Sequence, residues 1–138
     1  VILTHFLIEN SNFDIVVPYI ETFDKESCNR VKLVTSNNNV IYMSRRNIPY
    51  PFLMDTVYKK HLSIIAFKMQ ALSDFSLSKP MELEKIEGIE LLRAIEIGLK
   101  VGTFKEKGET LSVDTIEDYE RVQRLMLRDD YFLKRRYE

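Results

Sequence analysis

Two side chains in this sequence have the type and position of residues that grip an anionic ligand. Arg45 follows a strand-like run and precedes the rigid Ile48-Pro49 step, so its guanidinium could clamp a carboxylate through two hydrogen bonds. His61 stands just before an apolar run, and an imidazole there can donate to a ligand oxygen near neutral pH.

Two carboxylates add further chemistry. Glu90 lies in an apolar stretch with helical spacing, where a carboxylate could accept hydrogen bonds from sugar hydroxyls. Asp114 follows a short apolar run just before a helix start, and α/β proteins bind ligands at the carboxyl ends of strands. A carboxylate oxygen there suits Mg²⁺, so Asp114 is a candidate metal ligand.

Each of the four residues also has a purely structural interpretation. Arg45 could be an exposed loop cation, and His61 could be a histidine whose ring is satisfied inside the fold. Glu90 could pair with Arg93 at i, i+3 on a helix surface, and Asp114 could serve only the helix start. Residue type and spacing alone leave both interpretations open.

The elements that must position these residues follow a mixed order, which favours an α/β or α+β fold. Strands are predicted at residues 13–20, 31–34, 40–43, 62–67 and 101–104, with the second and third forming a hairpin. Helices are predicted at residues 1–9, 68–75 and 78–97, and from Thr115 to about residue 126. Pro18 predicts an edge or a bulge, Gly98 a helix end, and Thr115 with Asp118 a capped helix start.

Composition narrows the class of protein. The 138 residues are 45% hydrophobic and 30% charged, which fits one globular domain or part of one. A net charge of −1 gives no support for nucleic-acid or membrane partners. The one cysteine cannot form an internal disulfide, which favours a reducing, cytoplasmic compartment. None of the four glycines belongs to a phosphate-binding loop of common spacing.

Four stretches, residues 29–49, 61–67, 83–93 and 113–122, together resemble one family, the 3-deoxy-manno-octulosonate (KDO) cytidylyltransferases, or CMP-KDO synthetases. The most specific segments are the hairpin leading to Tyr42-Met43-Ser44-Arg45 and Ile48-Pro49, and the helix start Val113-Asp114-Thr115. The resemblance covers roughly residues 13–126.

The resemblance implies an α/β fold, the C-terminal part of a Rossmann-like, parallel-sheet nucleotidyltransferase with a dimerisation hairpin region. Residues 1–138 would be the sugar-binding and dimerisation portion, and the nucleotide-binding half would lie upstream. The family joins CTP to KDO and releases pyrophosphate. It implies Mg²⁺ as cofactor, Asp114 as catalytic metal ligand, Arg45, His61 and Glu90 as sugar-binding residues, and a homodimer. This chain alone is expected to be inactive.

Two departures from the family pattern keep other functions open. Leu91 stands where the family usually has a sugar-binding Gln, and Ile65 stands where it usually has a Tyr. Each lost hydrogen bond could weaken sugar binding by about 1 kcal/mol. The sequence therefore also allows a cytidylyltransferase for another acidic keto-sugar, similar to sialic acid, or a dimerising fragment without catalytic activity.

Overall fold

A computed structural model describes residues 2–23, 29–107, 113 and 115–135. The chain divides into two compact units, Val1–Lys107 and Gly108–Glu138, and each is described by itself. No helix in the described residues is long and apolar enough to cross a membrane.

The first unit alternates strands and helices. Its elements are α1 Ile2–Glu9, β1 Ile15–Thr22, β2 Lys32–Ser36, β3 Asn39–Ser44, β4 Tyr58–His61, β5 Ala66–Phe67, α2 Met69–Leu77, α3 Glu82–Glu87, α4 Leu91–Glu96 and β6 Val101–Lys105. The predicted hairpin is present as β2 and β3. Its turn is tighter than predicted, because Ser36 pairs with Asn39 and Asn37 takes the left-handed conformation at φ 53°.

The six strands form one mixed sheet in the order β4-β2-β3-β6-β1-β5. A further pairing of β4 with β1 closes β1, β4, β2, β3 and β6 into a ring. Among the described pairings only β1 with β6 is parallel. The sheet is therefore mixed in this part of the chain, whereas the resemblance implied a parallel one.

Two apolar clusters stabilise the first unit. The larger one joins the sheet to α2 and α4, and it contains Ile15, Val17, Leu33, Val40, Met43, Ala71, Ile89, Leu91, Leu92, Ala94 and Val101. The smaller one packs Leu7 of α1 against Phe13 and Val16. Gly102 is required beside it, because a Cβ there would lie 2.5 Å from the Phe13 ring.

Pro18 lies inside the sheet, so the predicted edge or bulge is wrong. β1 has β6 on one side and β5 followed by β4 on the other. Pro18 sits where the neighbour changes from β5 to β4, and its carbonyl accepts a hydrogen bond from the Leu62 N–H at 3.1 Å. Pro18 has no N–H to donate on this side, and the sheet tolerates it at the point where the neighbour of β1 changes.

Residues 62–67 were predicted to form one buried strand, and most of that prediction is wrong. β4 ends at His61, and only Ala66 and Phe67 pair again, as β5. Ile64 and Ile65 are exposed. A run of apolar residues indicates a buried strand only when the chain continues along the sheet. Here the chain leaves β4 and crosses to the other end of β1.

The long helix predicted over residues 78–97 is two short helices. α3 ends at Glu87 because Gly88 takes the left-handed conformation, at φ 63°, and α4 begins at Leu91. Glu90 is consequently the residue before α4 and not part of a continuous helix. Gly98 ends α4 as predicted, at φ 86°.

The second unit contains α5 Ile116–Met126 and α6 Asp130–Arg135. The predicted capping box is present: the Asp118 N–H donates to the Thr115 hydroxyl, and the Thr115 N–H donates to the Asp118 carboxylate. None of the α5 residues is buried. Apolar side chains of both helices line a depression of about 580 Å³, formed by Tyr119, Val122, Gln123, Met126, Leu127 and Phe132.

Candidate functional site

Arg45 is held against the end of α3. Its Nε donates to the Glu87 carbonyl at 2.8 Å and its Nη2 donates to the Gly88 carbonyl at 2.9 Å. Both acceptors belong to the last turn of α3, whose carbonyls lack helical partners and carry the negative end of the helix dipole. The guanidinium is therefore an ordered, half-buried group and not a loose loop cation.

The side-chain carboxylate of Glu87 binds the end of β3 and the residue after it. It accepts hydrogen bonds from the Ser44 hydroxyl at 2.7 Å, the Arg45 backbone N–H at 3.1 Å and the Tyr42 hydroxyl at 3.4 Å. Burial would raise the pKa of Glu87, but the hydrogen bonds from Ser44, Arg45 and Tyr42 lower it overall. Glu87 is therefore ionised at neutral pH.

His61 is the last residue of β4. Its backbone N–H donates to the Val31 carbonyl at 2.8 Å, and its register partner in β1 is Tyr19. Within the described part of the chain the ring Nε2 is buried and has no hydrogen-bond partner. Burial lowers the pKa of His61 to about 4, so the ring is neutral at physiological pH.

Arg45 and His61 are related by the sheet register continued past the last paired residues. The ladders end at the pairs Lys32 with Ser44 and Lys32 with Lys60, and one further residue on each strand would put Val31 opposite both Arg45 and His61. Residues directly opposite each other share a face, so the two side chains start about 10 Å apart, two strand spacings. The structure thus brings together two residues that lie 16 positions apart in sequence.

Glu90 joins this region through the α3–α4 link. Gly88, whose carbonyl Arg45 holds, precedes Glu90 by two residues, which limits their Cα separation to about 7 Å. Glu90 is exposed, and the surface pair with Arg93 considered above does not form. Arg93 instead lies 3.1 Å from Glu84, as an ion pair without hydrogen-bond geometry, and stacks over the Phe75 ring.

Asp114 lies outside the described residues, so the structure adds nothing to its predicted role as a metal ligand. Among residues 2–23, 29–107, 113 and 115–135, no three His, Cys, Asp or Glu side chains cluster closely enough to hold a metal ion. Mg²⁺ stays a prediction that depends on Asp114.

Sequence reasoning missed two residues that support Arg45. Glu87 was one of several acidic residues in an assumed long helix, and only the helix-ending Gly88 after it could have signalled its position. Lys32 is buried at 1% exposure and donates from Nζ to the Arg45 carbonyl at 3.2 Å. A lysine in a strand next to hydrophobic residues gives no sequence signal of such burial.

The two departures from the family pattern differ in their surroundings. Leu91 is 5% exposed and belongs to the larger apolar cluster, beside Leu92. Ile65 is 41% exposed, four residues after His61. The aliphatic side chain of Leu91 is thus explained by packing, whereas Ile65 presents an apolar surface close in sequence to His61.

Comparison with known proteins gives consistent results. The family model described as cytidylyltransferase matches residues 8–107. The chain is 42% identical over 105 residues to the 3-deoxy-manno-octulosonate cytidylyltransferase of Flavobacterium johnsoniae, covering 73% of this chain and 42% of that protein. It is 36% identical over 131 residues to that of Rickettsia rickettsii, covering 87% of this chain and 53% of the relative.

A solved structure shows the same fold. CMP:2-keto-3-deoxy-manno-octonic acid synthetase complexed with CTP superposes with a TM-score of 0.84 at 25% identity, over 92% of this chain and 54% of the other. The chain thus spans about half the length of the relatives it matches. The α/β nucleotidyltransferase fold expected from the resemblance is confirmed. Since the family model matches most of the chain, residues 8–107, this protein belongs to the cytidylyltransferase family.

Proposed function

We propose that this chain is the sugar-binding and dimerisation part of a cytidylyltransferase that forms CMP-KDO and pyrophosphate from CTP and KDO. The observation that carries the proposal is that Arg45 is held at the end of α3, two residues before Glu90, while the continued sheet register brings His61 to the other side of Val31. The names of the similar proteins support KDO as the sugar, and the CTP complex of the similar structure supports CTP as the nucleotide.

Each residue has a role that its environment supports. Arg45 offers an ordered positive charge for the sugar carboxylate. His61, neutral and with a buried Nε2 that lacks a partner among the described residues, can form a hydrogen bond to a sugar oxygen. Glu90, exposed before α4, can accept sugar hydroxyls. Catalysis of this kind rests on positioning two reactants, because the protein forms no covalent bond with either.

Sugar binding can be tested on the chain itself by nitrogen-15 NMR of its histidines. The sequence has two histidines, and His5 is exposed beside Glu9, so it is an internal reference. KDO should shift the ring nitrogens of His61 and leave those of His5 in place. Arg45→Ala should weaken this binding by tenfold or more, because charge-assisted hydrogen bonds are worth roughly 1.5–3 kcal/mol. Unchanged His61 signals at millimolar KDO would contradict the proposal.

Ile65 keeps a second acidic keto-sugar open as an alternative. Its exposed aliphatic side chain stands where the family usually has a tyrosine hydroxyl. The same titration with N-acetylneuraminate decides between the two sugars. Tighter binding of KDO supports the main proposal. Tighter binding of N-acetylneuraminate would favour a cytidylyltransferase for a sialic-acid-like sugar, and binding of neither would favour the dimerising fragment.

The metal role of Asp114 calls for an active enzyme. We propose that Asp114 binds Mg²⁺ in a cytidylyltransferase that contains both halves, such as a chimera joining this chain to the N-terminal half of the Flavobacterium johnsoniae relative. Asp114→Asn should then lower turnover strongly, because it removes several kcal/mol of transition-state stabilisation. Asn keeps the size of the side chain, so the melting temperature should change little. Normal turnover at saturating Mg²⁺ would contradict the metal role.

We also propose a homodimer, formed through the hairpin and the segment that follows it. After Pro49, four large apolar side chains are highly exposed: Tyr50, Phe52, Leu53 and Met54. Consecutive exposed apolar residues of this size mark interaction surfaces. Light scattering at micromolar concentration should give twice the chain mass, and Leu53→Asp should give a monomer. Leu77→Asp, at an equally exposed position in α2, is the control. A monomeric wild-type chain would contradict the proposal.

The site of action that we propose is the cytoplasm. CTP is a cytoplasmic metabolite, and the single cysteine is in keeping with a reducing compartment. Fractionation of cells that express the tagged chain would test this assignment.

A further inference from the structure

We propose that Glu87 is a positioning residue that sets Arg45 in place to receive the sugar carboxylate. This inference rests on the proposed function, because it assigns a role relative to the same sugar site. Glu87 itself need not contact the sugar, since its carboxylate is used by Tyr42, Ser44 and Arg45.

The first argument concerns the edge of β3 next to Arg45, which faces away from β2. β3 meets β6 only at the pair Asn39 and Gly102, so its far end has no strand on that side in the described sheet. The Arg45 N–H at this edge would need water or a side chain as acceptor. Glu87 supplies that acceptor and binds the adjacent Ser44 hydroxyl with its other oxygen. The carboxylate therefore fixes the backbone from which the Arg45 side chain starts.

The second argument is that the clamp is reciprocal. While the Glu87 carboxylate holds the backbone of Arg45, the Arg45 guanidinium holds the carbonyls of Glu87 and Gly88. Neither group can move without breaking bonds made by the other. Because Glu90 follows Gly88 by two residues, the clamp also fixes the start of α4 relative to Arg45. Two predicted sugar-binding residues thus depend on one carboxylate.

A matched control lies one turn earlier on the same helix. Glu84 is also a poorly exposed carboxylate of α3, but its partner is Arg93 of α4, at 3.1 Å. That pair ties α3 to α4, whereas the Arg45 guanidinium is held by the carbonyls of Glu87 and Gly88. Removing Glu84 should therefore cost stability without changing the environment of Arg45, and removing Glu87 should change both.

Arginine side-chain NMR tests the positioning without any ligand. In the wild-type chain the Arg45 Nε–H, bonded to the Glu87 carbonyl, should exchange slowly with water. Glu87→Ala should speed this exchange by about tenfold or more, and Glu84→Ala should leave it within twofold of wild type. Equal exchange rates in wild type and Glu87→Ala would overturn the inference. If Glu87→Ala does not fold, Glu87→Gln replaces it, because its amide has a single acceptor oxygen, so the Ser44 hydroxyl and the Arg45 N–H can no longer each bond to an oxygen of their own.

Titration with KDO connects the clamp to function. Glu87→Ala should bind KDO about tenfold more weakly than wild type, and Glu84→Ala within twofold. If Arg45→Ala weakens binding and Glu87→Ala does not, the inference fails and the proposed function stands. If neither wild type nor Arg45→Ala responds to KDO, the proposed function fails and the role of Glu87 at a sugar site fails with it, whatever the exchange rates show.

Discussion

The two units of this chain are built in different ways. In Val1–Lys107, strands as distant as β1 and β6 pair, and apolar residues from helices and strands are completely buried between them. In the described part of Gly108–Glu138, α5 has a capping box and i, i+4 contacts such as Gln123 with Tyr119, yet none of its residues is buried. The first unit depends on long-range packing and the second on local interactions.

This difference decides which of the predicted binding residues have surroundings that the structure describes. Arg45, His61 and Glu90 lie in the first unit, where register and burial define their surroundings. Asp114 precedes α5 and lies outside the described residues. The surroundings of the residues predicted for the sugar side are therefore known from this structure, while both roles, sugar and metal, stay predictions.

A pair of identical substitutions is the strongest test of this contrast. Leu92 is 1% exposed and Leu125 is 48% exposed. Leu92→Ala should lower the free energy of unfolding by about 3 kcal/mol, because it leaves a cavity in the larger cluster. Leu125→Ala should lower it by less than about 1 kcal/mol. Urea denaturation followed by circular dichroism measures both, and comparable losses would show that the two units are packed alike.

Acid should destabilise the first unit through His61. The folded-state pKa of about 4 lies below the unfolded value of 6.5, so the unfolded chain binds the proton more tightly. Stability is then lost as pH falls from about 6.5 to about 4, by about 3 kcal/mol in total. His61→Gln should remove this part of the pH dependence, whereas His5→Gln should not. Residues 108–138 contain no histidine, so they lack this contribution.

The sign of the histidine effect makes the test direct. Carboxylates also titrate in acid, so the quantity to compare is the difference in unfolding free energy between wild type and His61→Gln at each pH. That difference should shift in favour of the variant as pH falls from 6.5 to 4. A difference that stays constant over this interval would mean that the His61 ring is solvated in the folded chain.

The smallest expected effect concerns the local structure of the second unit. Thr115→Ala removes the hydroxyl that caps α5 and should cost about 1 kcal/mol. Thr115→Ser keeps the hydroxyl and is the control. Because α5 has no buried residue, the loss should appear as reduced helix content with the unfolding of the first unit unchanged. A loss of several kcal/mol would instead mean that the cap supports tertiary packing.

Where local chemistry decides the backbone, the sequence was a sufficient guide. The β2–β3 hairpin, the end of α4 at Gly98 and the cap at Thr115 were predicted, since turn and cap preferences act over a few residues. Strand predictions failed at residues 62–65, and the helix over residues 78–97 was predicted without its break at Gly88. In both places the apolar pattern of the sequence continues although the chain changes direction, so the pattern alone does not reveal the break.

The site shows the same division. The sequence by itself, through residue types and the family resemblance, singled out Arg45, His61, Glu90 and Asp114, because a guanidinium, an imidazole and carboxylates have chemistry that does not depend on the fold. Only the tertiary structure brought the strand ends that carry Arg45 and His61 to the two sides of β2 and showed that Glu87 holds Arg45. Those relations are set by strand register and by the end of α3, which bring together residues 16 and 42 positions apart, and no local preference of the chain encodes such distances.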